Sequence, residues 1–155
     1  MVFIGGARQV GKTTMARKLV APSYHNCAYF NWDYRPDRQK ILQGEFPGDA
    51  NLLIFDEIHK YKKWKILVKG AYDKLKEKYR FLITGSARLN IYRKGGDSLQ
   101  GRYHYFTLHP FSMAEMLGIK NHIKPLDKLP IYPNNCFNDL ETLEHFGGFP
   151  EVLIK

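Results

Sequence analysis

Short apolar runs separated by polar segments with helical spacing recur along the chain. Val2-Phe3-Ile4, Cys27 to Trp32, Asn51 to Phe55, Arg80 to Thr84 and Tyr103 to Leu108 read as strands. The runs around Leu53 and Leu82 do not alternate with polar residues, which is the pattern of strands buried on both faces of a parallel sheet. Between the strands the spacing predicts helices. One runs from about Gly11 to Val20, with Ala16, Leu19 and Val20 toward the sheet, and Pro22 stops it. A second covers the polar run from Arg35 to Gln43 and is closed by Gly44. A third covers Trp64 to about Lys78, with Trp64, Leu67, Val68, Ala71, Tyr72 and Leu75 on one face. Ser112 and Glu115 form a capping box that opens a helix through Leu117. From Gly118 to Asn135 the pattern dissolves into Pro, Asn and Lys, and a last helix spans about Phe137 to Phe146. This alternation predicts a three-layer α/β fold with a parallel sheet, helices on both faces and a ligand site at the carboxyl ends of the strands. Residues 1–118 are expected to form the core, and residues 119–155 a loop and short helix.

Straight after the first apolar run comes Gly6-Ala7-Arg8-Gln9-Val10-Gly11-Lys12-Thr13, followed by Thr14. It spells G-x-x-x-x-G-K-[ST], the phosphate-binding P-loop. Glycines at both ends let the backbone curl so that several N–H groups face one anion, and the following helix adds its positive end. Lys12 is expected to reach the β- and γ-phosphates, and Thr13 to offer its hydroxyl to Mg²⁺.

The third strand ends at Asp56 and Glu57. Asp56 is placed to hold Mg²⁺ through water beside Thr13, and Glu57, pointing differently, to polarise an attacking water. That pair favours a hydrolase over a kinase, because phosphoryl transfer to a small molecule needs no activated water. The alternative is a strand end opening into a solvated acidic turn. Thr84-Gly85-Ser86 ends the fourth strand with hydroxyls suited either to contact a γ-phosphate, Ser86 before Thr84, or to cap a turn. Arg102, in Leu99-Gln100-Gly101-Arg102, lies outside this site; it is either an arginine finger reaching a neighbouring subunit or a surface arginine.

Composition adds less. The 155 residues are 44% hydrophobic, enough for one domain with a core. Lys and Arg number 24 against 15 Asp and Glu, and the formal charge of +9 favours nucleotide phosphates, nucleic acid or an acidic partner. Lys60-Tyr61-Lys62-Lys63-Trp64-Lys65 has the composition of a single-strand nucleic-acid contact, although Tyr61 and Trp64 are more simply helix anchors. Cys27 and Cys136 have no metal spacing and read as free thiols, the histidines have no ligand spacing, and His59 is most simply a turn residue. No run approaches membrane-spanning length and no basic leader opens the chain, so a cytoplasmic protein is expected.

In motif order and wording the chain resembles the AAA+ superfamily, specifically the prokaryotic ATPases called AAA_14. Residues 6 to 14 resemble that family's loop, Phe55 to Tyr61 with Trp64 its Mg²⁺ motif, and Ile83 to Ser86 its sensor strand. Leu99 to Arg102 resemble its arginine motif, and Gly147 to Glu151 its later signature. The resemblance implies ATP as nucleotide, Mg²⁺ as cofactor and the strand order 5-1-4-3-2. It also implies hydrolysis that drives conformational change in a partner, and self-association that supplies Arg102 in trans. Members usually carry a helical segment before the first strand and further helices after Gly-Phe-Pro-Glu, so the resemblance implies an ATPase core without those flanks. A nucleotide-gated module contacting DNA or protein, or an inactive ATPase fragment, is the alternative.

Overall fold

In the computed structural model, which describes residues 1–86, 99–119 and 136–153, the apolar runs form one parallel sheet. Its strands are β1 (Val2–Gly6), β2 (Cys27–Asn31), β3 (Leu52–Asp56), β4 (Arg80–Thr84) and β5 (His104–Leu108). The order is β2-β3-β4-β1-β5, the expected 5-1-4-3-2 read from the other edge, and every pairing is parallel. Thr84 aligns with Ile4 on one side and with Asp56 on the other, and Asp56 aligns with Asn31, so the carboxyl ends finish level. The third strand starts and ends one residue later than its apolar run, which makes Asp56 the last paired residue of β3 and not the first of the turn.

Helices α1 (Lys12–Thr14), α2 (Arg35–Gln43) and α3 (Trp64–Leu75) fill the connections. Successive side chains of a strand point to opposite faces, and β3 is buried at every position. Leu53 and Phe55 join Phe3, Phe81 and Ile83 in a cluster with Trp64 and Val68 of α3. Leu52 and Ile54 join Ile4 and Leu82 on the other face, against Ala16. Each fully buried side chain of this size contributes about 1.5–3 kcal/mol relative to exposure. The sheet is thus the middle of three layers, as the apolar runs predict. The stripe on α3 is core: Trp64 and Val68 are buried, and Leu67, Ala71, Tyr72 and Leu75 pack against the same cluster.

Two helix expectations are corrected. α1 continues into a π-helical stretch, Met15–Val20, and a 3₁₀ turn, Ala21–Ser23. The wider π turn keeps Met15, Ala16, Val20 and Ala21 on the sheet and swings Leu19 outward, where it is 69% exposed. α3 stops at Leu75, because Lys78 N–H and Tyr79 N–H both turn back to the Leu75 carbonyl and buried Tyr79 leads into β4.

The chain divides into two compact units, Met1–Leu108 and His109–Lys155. In the second, Ser112 and Glu115 form the expected capping box on α4 (Met113–Met116). α5 (Phe137–Phe146) has the expected bounds, α6 (Pro150–Leu153) was not foreseen, and Phe111 N–H donates to the Gly148 carbonyl at 2.7 Å. The residues of the polar stretch between 87 and 98, and those at 120–135 of the Pro, Asn and Lys segment, lie outside the described residues.

Candidate functional site

β1 ends at Gly6, where the chain must pass close to β5. A Cβ there would run into the Leu108 carbonyl oxygen, so no larger residue fits without displacing the edge strand. Beyond it, left-handed residues at Gln9 (φ 61°) and Gly11 (φ 95°) alternate with negative-φ residues at Arg8, Val10 and Lys12. Backbone of alternating hand is the kind that turns successive N–H groups toward one side, the arrangement used by anion-binding concavities. Val10, 4% exposed, pins the loop to the core, and Met15 N–H donates to the Gly11 carbonyl at 2.8 Å to start the helix. The Lys12 side chain is buried, and its ammonium donates to the carbonyl oxygens of Gly6, at 3.2 Å, and Ala7. Burial pushes Lys12 below the ordinary lysine range, and the carboxylates of Glu57 and Asp56 oppose that shift.

Asp56 is 3% exposed at the end of β3. Its Oδ2 accepts from Thr13 Oγ1 and from the Tyr29 hydroxyl, both at 2.7 Å, and its Oδ1 accepts from Thr84 Oγ1 at 2.6 Å. A buried carboxylate is tolerated when its lone pairs are satisfied, and here the loop, β2 and β4 each supply a hydroxyl. Thr84, 0% exposed, gives its hydroxyl hydrogen to Asp56 from inside the core. Tyr29 was missed by sequence reasoning. The signal was present as a hydroxyl-bearing side chain in β2, but only the register reveals that it lies within reach of Asp56. Burial, then the hydrogen bond and charge of Asp56, push the Tyr29 phenol well above its ordinary range.

Glu57 leaves the strand in a left-handed conformation (φ 59°), and its N–H donates to the Thr84 carbonyl at 3.0 Å. The side chain stays 26% exposed, with Oε2 3.3 Å from Lys60 Nζ. Lys60 also donates to Asp33 in the loop after β2, and that bond is the first cause of its raised pKa. Ser86 Oγ lies 3.0 Å from His59 Nε2. His59 is more than the turn residue expected: its side chain is 7% exposed and its Nε2 is also 3.8 Å from Glu57 Oε2.

The chain thus brings Thr13, Tyr29, Asp56 and Thr84 into one hydrogen-bonded network, with Lys12 held in the loop by the Gly6 and Ala7 carbonyls, and His59, Ser86, Glu57 and Lys60 into another. It does not bring Arg102 to either. Arg102 lies just before β5, at the amino ends of the strands, where its Nε donates to Asp73 of α3 at 2.7 Å and its carbonyl accepts from the Met1 ammonium. In the basic run, Trp64 packs edge-on to Phe3 at 5.8 Å and Tyr61 stacks on Trp32 at 5.0 Å, so both aromatics serve the fold. Among the described residues, no group of three or more His, Cys, Asp and Glu side chains is placed to hold a metal, and no helix is long and apolar enough to cross a membrane.

A family model described as an AAA domain matches residues 1–117. No curated protein matches the chain. Among solved structures, Orc1 of Aeropyrum pernix, in complex with DNA, is similar with a TM-score of 0.52 at 11% identity over 76% of this chain and 41% of that one. RuvB T158V of Thermotoga maritima has a TM-score of 0.47 at 21% identity, over 76% and 40% of the two chains. PCH-2 of C. elegans has 0.49 at 13% identity, over 95% and 50%. The stretches matched are half or less of those proteins, and the Orc1 likeness is one of fold. The family match, in contrast, takes in every strand of the sheet, the whole loop, the Asp56-Glu57 pair and Arg102. On that match the chain belongs to the AAA_14 family of AAA+ P-loop ATPases, a family of nucleotide-binding proteins.

Proposed function

We propose that this chain binds Mg²⁺·ATP at the loop from Gly6 to Thr14 and hydrolyses it with a water oriented by Glu57, turnover driving conformational change in a partner. The observation that carries this reading is the 2.7 Å hydrogen bond from Thr13 Oγ1 to Asp56 Oδ2, one residue after the buried ammonium of Lys12. It sets a hydroxyl and a carboxylate side by side at the mouth of a phosphate-type loop. This donor set suits Mg²⁺, a hard cation that takes one or two protein oxygens and completes its shell with phosphates and water. Thr13 and Asp56 would hold it, and when bound it supplies charge neutralisation at the β- and γ-phosphates. Lys12 exchanges its contacts with the Gly6 and Ala7 carbonyls for phosphate oxygens, and the loop amides hold the remaining charge without reorganising. Glu57 meets the needs of a group that must reach a water: its left-handed turn takes it out of the strand and its carboxylate keeps solvent contact. Arg102 would come from a second copy, since its own chain holds it at the other end of the strands.

One observation favours slow turnover. Lys60 Nζ lies 3.3 Å from Glu57 Oε2, so a water to be oriented there must share the carboxylate with an ammonium. A nucleotide-gated binding module is therefore the second reading. If its partner were DNA, contact would rest on phosphates, because Tyr61 and Trp64 are packed inside, and affinity would fall steeply with salt. Calorimetric titration of Mg²⁺·ATP and Mg²⁺·GTP, with phosphate release followed on the same sample, tests both. ATP binding with release is expected; binding without release selects the second reading, and absence of binding overturns both.

A further inference from the structure

Ser86 and Glu57 belong to different segments, one after β4 and one after β3, and a single imidazole lies between them. His59 Nε2 is 3.0 Å from Ser86 Oγ and 3.8 Å from Glu57 Oε2. The ring is 7% exposed, and its other nitrogen, Nδ1, is buried and has no hydrogen-bond partner among the described residues. Burial holds the ring below the ordinary histidine range, helped by the cations Lys60 and Lys12 and opposed by Glu57 and Asp33, so the neutral form is favoured. A neutral imidazole carries one N–H and one lone pair. Orphaned buried N–H groups are rarer in proteins than under-satisfied acceptors. The unpartnered Nδ1 is therefore the lone pair, and the proton sits on Nε2, between Ser86 and Glu57.

We propose that His59 is a positioning residue that couples Ser86 to Glu57 through this one Nε2–H. In this tautomer the hydrogen goes to Ser86 Oγ, 3.0 Å away. With that oxygen engaged as an acceptor, the Ser86 hydroxyl proton is left to donate, and a phosphate oxygen is the acceptor that suits it at this end of β4. Glu57 at 3.8 Å is beyond hydrogen-bond distance, so its carboxylate is not held by the ring. One proton cannot serve both acceptors. When Ser86 turns away, the Nε2–H becomes available to Glu57 and competes with water for the carboxylate. Ser86 thereby reports its own occupancy to Glu57, and water is oriented only while Ser86 is engaged. The coupling rests on the water-orienting role proposed for Glu57, whereas the assignment of the proton does not.

The first test needs no turnover. Long-range ¹H–¹⁵N correlation on the protein without nucleotide should show His59 protonated at Nε2 and not at Nδ1, and Ser86→Ala should move its Nε2 signal more than that of any other histidine. The opposite tautomer, or no response to Ser86→Ala, overturns the proposal. In turnover, His59→Ala should lower kcat about tenfold with KM for ATP within about twofold, and Ser86→Ala should add nothing further to it. His59→Gln, whose amide nitrogen reaches the Nε2 position, should keep most of the rate, and His59→Asn, whose amide reaches only the Nδ1 position, should behave like His59→Ala. Equal effects of Gln and Asn, or additive losses with Ser86→Ala, would mark His59 as structural and overturn the coupling. Should the wild-type chain bind ATP without hydrolysing it, the hydrolytic reading fails and the tautomer experiment alone decides the placement of the proton.

Discussion

At the carboxyl ends of the strands Asp56 is 3% exposed and meets three hydroxyls, whereas at the amino ends Arg102 meets Asp73 with both side chains more than a third exposed. Both are short polar contacts between distant segments, yet they are physically unlike. A buried network acts as a unit, because each partner lost leaves another group without water or protein to replace it. An exposed ion pair exchanges its partner for water or for another charge at little cost. The hydrogen bonds of Asp56 at the first end all close within one chain. The pair at the second end lies open to solvent.

The largest effect expected at the carboxyl ends is on the chemistry. Glu57→Gln keeps the shape but removes the base, so turnover should fall roughly 100-fold or more while calorimetric affinity for Mg²⁺·ATP stays within about twofold of wild type. Loss of affinity in step with turnover would make Glu57 structural. Next comes Lys12→Ala, which removes a charge-assisted contact and should weaken nucleotide binding about tenfold to a hundredfold. Unchanged affinity would take the loop out of the site altogether.

Much of this end is legible in the sequence. The loop, Asp56 and Glu57 stand out because the P-loop wording has fixed offsets along the chain and the acidic pair closes an apolar run. The five strands were legible for a related reason: Leu52 to Phe55 and Phe81 to Ile83 are apolar without alternation, which only burial on both faces explains. What could not be read were contacts set by register. Tyr29 and Thr84 converge on Asp56 because parallel neighbours finish level, and no spacing along one strand encodes that alignment. The sequence alone makes His59 a turn residue, because its neighbour Ser86 is far along the chain and adjacent only in space. Leu19 was misplaced because a π turn, unlike an α turn, leaves no signature in apolar spacing.

Thr84→Val tests stability at the same end with the smallest change of shape. It removes one donor from Asp56 inside the core and should lower stability by about 1–3 kcal/mol, measured from the denaturant midpoint at constant slope. If the midpoint does not move, water or another group has replaced the hydroxyl, and the network is less closed than its burial implies. Asp73→Asn at the amino ends makes the matching comparison, since the partner it deprives is already hydrated.

Arg102→Ala is expected to have the smallest effect on the folded chain and the most conditional effect on turnover. Its pair with Asp73 is exposed on both sides, so the denaturant midpoint should stay where it is. The same exposure lets a second copy compete for the guanidinium, and a finger used in trans acts only where copies meet. Turnover of Arg102→Ala should therefore match wild type at dilution and fall behind it as concentration rises. Mixing Arg102→Ala with Glu57→Gln should restore part of the lost rate, because one kind of junction then pairs an intact Glu57 with an intact Arg102. A rate for Arg102→Ala equal to wild type at every concentration, with no gain on mixing, would leave Arg102 a surface residue and the two ends of the sheet unconnected in function.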